Sequence, residues 1–179
     1  MDIVKAFTDA WDIFSKNFVM YGLATLVVVI LGMATIGILY IPLIVGLQMM
    51  FVKAKRGEKV ILHDLFNPFK HFFDLFFGSI WIAILVLLGL CLLIVPGLCF
   101  AAWWMYAPLF IADKGKHIGQ AMRASKEMVR GKNLWTHLLL LVLGGVVANM
   151  GFHILWIGFL ITMPIGWGAI ACAYADETK

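Results

Sequence analysis

The chain has 179 residues, 63% of them hydrophobic and only 13% charged, at a mean hydropathy of +0.97. A soluble domain carries roughly 45–50% apolar and about 25% charged residues, so this composition excludes a water-soluble globule and points to a membrane protein. The 14 basic and 10 acidic side chains give a formal net charge of +4.

In chain order, residues 1–17 read as an amphipathic helix. Ile3, Phe7, Trp11, Phe14 and Phe18 recur at spacings of three or four, while Asp2, Lys5, Asp9, Asp12 and Lys16 mostly take the other face. Such a helix lies in the membrane interface, with Trp11 suited to the headgroup level. Residues 18–52 follow without a charge. That length is too great for one crossing of a ~30 Å hydrocarbon core and about right for two. A helical hairpin is expected, turning among Gly32, Gly37 and Pro42. Its second arm, about residues 38–52, gives only about 22 Å of helix. Either Lys53 and Lys55 snorkel to the surface or the bilayer thins locally, or else the hairpin is re-entrant and never reaches the far side.

The Phe-rich "LHDLFNPFKHFFDLFF" at 62–77 reads as an interfacial segment broken at Asn67 and Pro68. It leads into residues 75–112, again uncharged, where Pro96 and Gly97 predict the bend between two antiparallel transmembrane helices. The alternative is a kink in one long tilted helix. After Lys116 a second amphipathic stretch sets Ile118, Met122, Ser125 and Val129 against Arg123, Lys126, Glu127 and Arg130. The last uncharged block, 133–175, carries Gly144, Gly145, Asn149 and Gly151 near its expected turn.

Every Lys, Arg, Asp and Glu falls outside the three blocks. Two crossings per block place all the charged segments on one side, and the positive-inside bias makes that side cytoplasmic, with both termini inside. The expected fold is an all-α integral membrane protein of three helical hairpins, about six transmembrane helices, each hairpin preceded by a cytoplasmic interfacial amphipathic segment. A single membrane domain covers 1–179, in units of similar plan at about 1–56, 57–116 and 117–179.

Three stretches carry a family resemblance: "LFNPF" at 65–69 with its Phe-rich sequel, "LLIVPGLCFAAWWMYAPLFIAD" at 92–113, and "GQAMRASKEMVRGKNLW" at 119–135. The chain resembles the bacterial inner-membrane proteins of the YciC type and the related membrane domain attached to some glycerophosphodiester phosphodiesterases. The resemblance implies a six-span, all-helical domain in the bacterial inner membrane whose activity is largely unassigned. It brings no catalytic residue set, and since nothing similar to the soluble phosphodiesterase domain is present, that activity does not transfer.

With no charge inside the blocks there is no intramembrane ion pair or proton-carrying carboxylate, which argues against proton-coupled transport. The intramembrane polar candidates are Gln48, Asn149 and His153. Gln48 either lines a pore or makes an interhelical hydrogen bond. Gly144, Gly151 and Gly158 recur at seven-residue intervals, and Gly168 pairs with Cys172 at small-xxx-small spacing. They are candidates for close helix packing, within one chain or between copies. No HExxH, CxxC or GxSxG occurs, so no metal, cofactor or catalytic site is expected. Cys91, Cys99 and Cys172 read as small packing residues.

The strongest functional candidate is a basic collar of Lys114, Lys116, Arg123, Lys126, Arg130 and Lys132, set against the single acid Glu127. Anionic lipid attracts such residues by about 1 kcal/mol each near the surface, while topology determination explains the same charges. The expected function is a non-enzymatic membrane protein that organises lipid or partner proteins at the cytoplasmic face. Its expected partners are anionic lipids, a second copy or another membrane protein, and no nucleic acid. A homo-oligomeric channel or small-solute facilitator is one alternative. An interfacial lipid-modifying enzyme, with Asp64, Asp74, Asp113 and His117 converging, is another.

Overall fold

The computed structural model describes residues 2–130, 134–153 and 156–178, with all their side chains except those at 94, 152, 153, 156 and 157. Among these residues all regular structure is helical: α1 (Ile3–Lys16), α2 (Phe18–Ala34), α3 (Tyr40–Lys55), a 3₁₀ helix (Leu62–His71), α4 (Phe72–Leu92), α5 (Ile94–Trp104), α6 (Ala107–Lys114), α7 (Ile118–Arg130), α8 (Leu134–His153) and α9 (Trp156–Glu177).

The Asp2 carboxylate starts α1 by accepting from the Val4 and Lys5 N–H groups at 3.0 and 3.3 Å, which satisfies two of the helix's orphan donors. The buried stripe of α1 is Ala6, Ala10 and Phe14, and α9 is its main neighbour. Trp11 and Phe18 remain 53% and 52% exposed. Of the five-residue apolar stripe expected here, Phe14 is buried, Ile3 and Phe7 pack partly buried against the core, Trp11 stays exposed and Phe18 already belongs to α2. At Asn17 the chain bends by 100° into α2.

Ile36 and Gly37 make the turn between α2 and α3, both in the left-handed region at φ 52° and 83°. Pro42 instead falls in the first turn of α3, where its missing N–H costs nothing. Every residue of α3 from Pro42 to Val52 is buried, and the helix touches α1, α2, α4, α6, α9 and the 3₁₀ helix. Gly46 makes one of these approaches possible, since a Cβ there would lie on the Leu65 carbonyl. Residues 168–175 of α9 are likewise buried all round, and Gly168 lies against the Phe51 ring, 2.7 Å from where its Cβ would be.

Pro96 and Gly97 do not form the bend that their sequence implies. The chain turns at Leu93, which is extended (φ −166°, ψ 143°), and Pro96 sits in the first turn of α5. Gly97 packs across the hairpin instead: a Cβ on Gly89 would come within 2.9 Å of its Cα. The same correction applies further on, where α8 runs straight through Gly144, Gly145, Asn149 and Gly151. Gly158 lies on the next helix, so the seven-residue series is not one helix face. A Cβ on Gly144 would come within 3.0 Å of the Gly166 carbonyl oxygen and one on Gly151 would collide with the Gly158 backbone, so these glycines let α8 pack closely on α9. The 3₁₀ helix is also unbroken, carrying Pro68 and running on into α4 at Phe72.

Among the described residues, four helical stretches are long and apolar enough to cross a membrane: Leu62–Leu92, Val95–Lys114, Leu134–Gly151 and Gly158–Glu177. The bent pair α1–α2 makes up to five, against the about six expected. The shortfall comes from α2 and α3, at 17 and 16 residues. The outer faces of α2, α4 and α8 expose rows of large apolar side chains, among them Val19, Ile30, Phe73, Trp81, Leu87, Trp135 and Val146. Water does not tolerate a surface of this extent, and the fold is that of a helical membrane protein.

Candidate functional site

The charged residues meet at the C-terminal end of α3. Lys53 donates to Asp64 Oδ1 at 2.6 Å, and Asp64 also accepts from the Ile61 N–H at 3.0 Å and from Asn67 Nδ2 at 2.8 Å. Lys55 pairs with Asp9 of α1 and lies 3.4 Å from Asp176 of α9. Arg56 grips Asp113 of α6 in two bonds, Nη1 to Oδ1 at 2.7 Å and Nη2 to Oδ2 at 2.8 Å. Tyr174 of α9 donates its hydroxyl to the same carboxylate at 3.0 Å. The hydrogen bonds from Arg56 to Asp113 raise the guanidinium's pKa above its already high value, so this cation is permanent. Lys53 and Lys55 in the last turn of α3, with Arg56 at its C-cap, also complement the negative end of its dipole. Together they tie α1, the 3₁₀ helix, α6 and α9 to one helix end.

In sequence Lys53 and Lys55 read as candidates for snorkelling, and nothing there reveals this hub. Its partners come from four elements, and no local spacing connects them. The one available signal was that Asp9, Asp64, Asp113 and Asp176 all lie outside the uncharged blocks.

The collar residues are placed differently. The described members, Lys114, Lys116, Arg123, Lys126 and Arg130, make no carboxylate ion pair among the described residues. Lys132 lies outside the described residues. Lys114 and Lys116 stand 5.5 and 5.2 Å from the Phe110 ring centroid and Lys126 4.7 Å from that of Trp103, within cation–π range. Arg123 and Arg130 are exposed.

Helix α7 carries these bases on its outer side and buries Ala121, Ser125 and Val129. The Ser125 hydroxyl donates to the Trp103 carbonyl at 2.7 Å and accepts from the Tyr106 N–H at 3.3 Å. Those two backbone groups flank the break between α5 and α6, so one side chain both satisfies the break and fixes α7 beside it.

The remaining candidates separate. Gln48 is 5% exposed, inside the buried run of α3. Asn149 is exposed and donates to the Gly145 carbonyl of its own helix at 2.8 Å. The His153 side chain lies outside the described residues. Gly144, Gly151, Gly158 and Gly168 all serve packing within the chain. Of the four residues considered for an enzyme, Asp74 and His117 are in contact, at 3.5 Å, while Asp64 and Asp113 are held by Lys53 and Arg56. Comparison with models of protein families, with curated proteins and with solved structures finds no match for this chain.

Proposed function

We propose that the chain is a non-enzymatic membrane protein that gathers anionic lipid, or a partner carrying equivalent negative charge, at its charged end. One observation carries this reading. The bases at the end of α3 are neutralised by acids of the same chain, whereas Lys114, Lys116 and Lys126 lie beside aromatic rings, Arg123 and Arg130 are exposed, and none of the five has a carboxylate partner among the described residues. The Lys126 cation over Trp103 suits the level at which tryptophans meet headgroups, and each such base attracts anionic lipid by about 1 kcal/mol.

On this reading the uncharged stretches form three hairpins that enter the bilayer from one side. The 100° bend at Asn17 lets α1 lie along the interface while α2 descends, and α7 lies at the same level. The excess of basic residues puts this side, with both termini, in the cytoplasm. The membrane is then the bacterial inner membrane, in keeping with the resemblance to the YciC type.

The test replaces Arg123, Lys126 and Arg130 together by Gln and compares binding of phosphatidylglycerol and cardiolipin with that of phosphatidylcholine, by native mass spectrometry of the purified protein. The expected outcome is a loss of anionic-lipid preference of roughly tenfold or more. An unchanged preference removes the collar from the function.

A further inference from the structure

Three helices turn rows of large side chains outward. In α2 and α4 every exposed side chain from Val19 to Met33 and from Phe73 to Leu87 is apolar. The row on α8 begins in the same way with Trp135, Leu139, Val142 and Val146, but it continues to Asn149, which is exposed as well. These positions follow one another at steps of four, three, four and three, the repeat with which a helix meets a parallel partner in a left-handed pair. The outward rows of α2 and α4 share that repeat, so what sets α8 apart is the carboxamide.

With Trp135, next to the charged α7, at the edge of a ~30 Å hydrocarbon layer, Asn149 lies about 21 Å further along the helix, within the apolar stretch Leu134–Gly151. Its side chain makes one hydrogen bond among the described residues, from Nδ2 to the Gly145 carbonyl of its own helix at 2.8 Å. A second N–H and the Oδ1 acceptor are left on the lipid-facing surface, where acyl chains offer a partner to neither. Gly145 borders Asn149 one turn earlier, and a Cβ there would meet nothing within 4 Å. The surface beside the carboxamide is therefore notched, with room for another backbone.

A carboxamide is its own complement, since it presents a donor and an acceptor side by side. Copies of a membrane protein share one orientation in the bilayer. Two copies related by a twofold axis along the membrane normal thus set each residue of a central seam opposite itself, at the same depth. A second copy of this chain brings to Asn149 the one group it needs, where it needs it.

We propose that α8 pairs in parallel with α8 of a second copy along Leu139, Val142, Val146 and Asn149, with the two Asn149 carboxamides hydrogen-bonded to each other beside the Gly145 notches. The apolar side chains pack, and the asparagines set register and partner number, as a single buried Asn does in a coiled coil. The rows of α2 and α4 carry no such group and stay against lipid. The pairing requires only that the copies share an orientation, so it does not rest on the α7 collar or on which side is cytoplasmic.

The experiment uses the full chain in vesicles of phosphatidylethanolamine and phosphatidylglycerol and reads association as energy transfer between copies labelled with donor or acceptor at the N-terminus, over a series of protein-to-lipid ratios. Asn149→Leu is expected to weaken association roughly tenfold, as for loss of interhelical hydrogen bonds in a membrane. Asn149→Gln keeps a carboxamide and is expected to retain most of it, and Gly145→Leu, which fills the notch, to weaken it. Cross-linking reads the geometry. With Cys91, Cys99 and Cys172 replaced by Ala, oxidation is expected to join copies of Leu139→Cys, Val142→Cys and Val146→Cys, but not of Leu26→Cys in α2 or Ile84→Cys in α4.

Energy transfer no greater than for randomly placed monomers overturns the proposal, as does unchanged association in Asn149→Leu. Cross-linking of Leu26→Cys or Ile84→Cys as complete as that of Val142→Cys marks random collision and overturns the assignment of the face. Equal loss in Asn149→Gln and Asn149→Leu overturns the bond between carboxamides. Should Asn149→Leu not fold, the cross-linking pattern decides. An unchanged lipid preference in the collar triple variant leaves this result standing.

Discussion

Asp113 accepts three hydrogen bonds from two directions, two from Arg56 and one from Tyr174. Its side chain is only 10% exposed, while that of Arg56 is 27% exposed, so losing the carboxylate strands a guanidinium that water reaches only in part. Asp113→Asn is expected to cost about 1–3 kcal/mol, with the lower part of that range favoured by the exposure of Arg56. Arg56→Gln should cost a similar amount, and the double variant clearly less than the sum, because both single changes remove the same interaction. Thermal unfolding of the four proteins in one detergent checks this; strict additivity shows that the pair does not hold α3 to α6. At this scale the sequence was least legible. Lys55 reads locally as a residue reaching for the membrane surface, yet Asp9 and Asp176 come to it from opposite ends of the chain. Only the packing of α1 and α9 beside α3 makes them neighbours.

Between helices, glycine does two things that look alike in sequence. Gly37 takes φ 83° in a turn, whereas Gly46, Gly89, Gly144, Gly151 and Gly166 allow backbones to touch. Both uses put Gly in the middle of an apolar run. That is why the long apolar helices were readable from the uncharged blocks while two of the three expected bends were misplaced, at Pro96 and at the glycines of α8. The distinction gives a measurable contrast. A Cβ on Gly46 lands on the backbone of Leu65, which a rotamer change cannot move aside, but a Cβ on Gly22 or Gly145 meets nothing within 4 Å. Gly46→Ala is therefore expected to lower Tm. Gly22→Ala and Gly145→Ala should leave it unchanged or raise it, since Ala in a helix interior is favoured over Gly by roughly 0.5–1 kcal/mol. Equal effects at all three positions rule out the close contact of α3 with the 3₁₀ helix.

In the whole molecule the buried side chains concentrate where the ion pairs are. Residues 42–52 of α3 and 168–175 of α9 pack there with α1 and α6, while α4 and α8 bury only 17% and 28% of their most apolar windows. Lipid is the natural cover for such arms. The proposed topology orders the exposed tryptophans by depth. Trp11 lies on α1 and Trp135 at the second position of α8, just after α7, so both sit at the charged end and are 53% and 71% exposed. Trp81 is 56% exposed and lies seven residues beyond Asp74 on α4, about 10 Å deeper along the helix, well into the apolar layer. Single-tryptophan variants in bilayers with lipids brominated at different chain positions should report this order. Trp81 is expected to be quenched most by mid-chain bromine, and Trp11 and Trp135 most by bromine near the headgroup. If Trp135 is quenched as deeply as Trp81, then α4 and α8 do not enter the bilayer from the same face, and the charged end is not the side at which the hairpins begin.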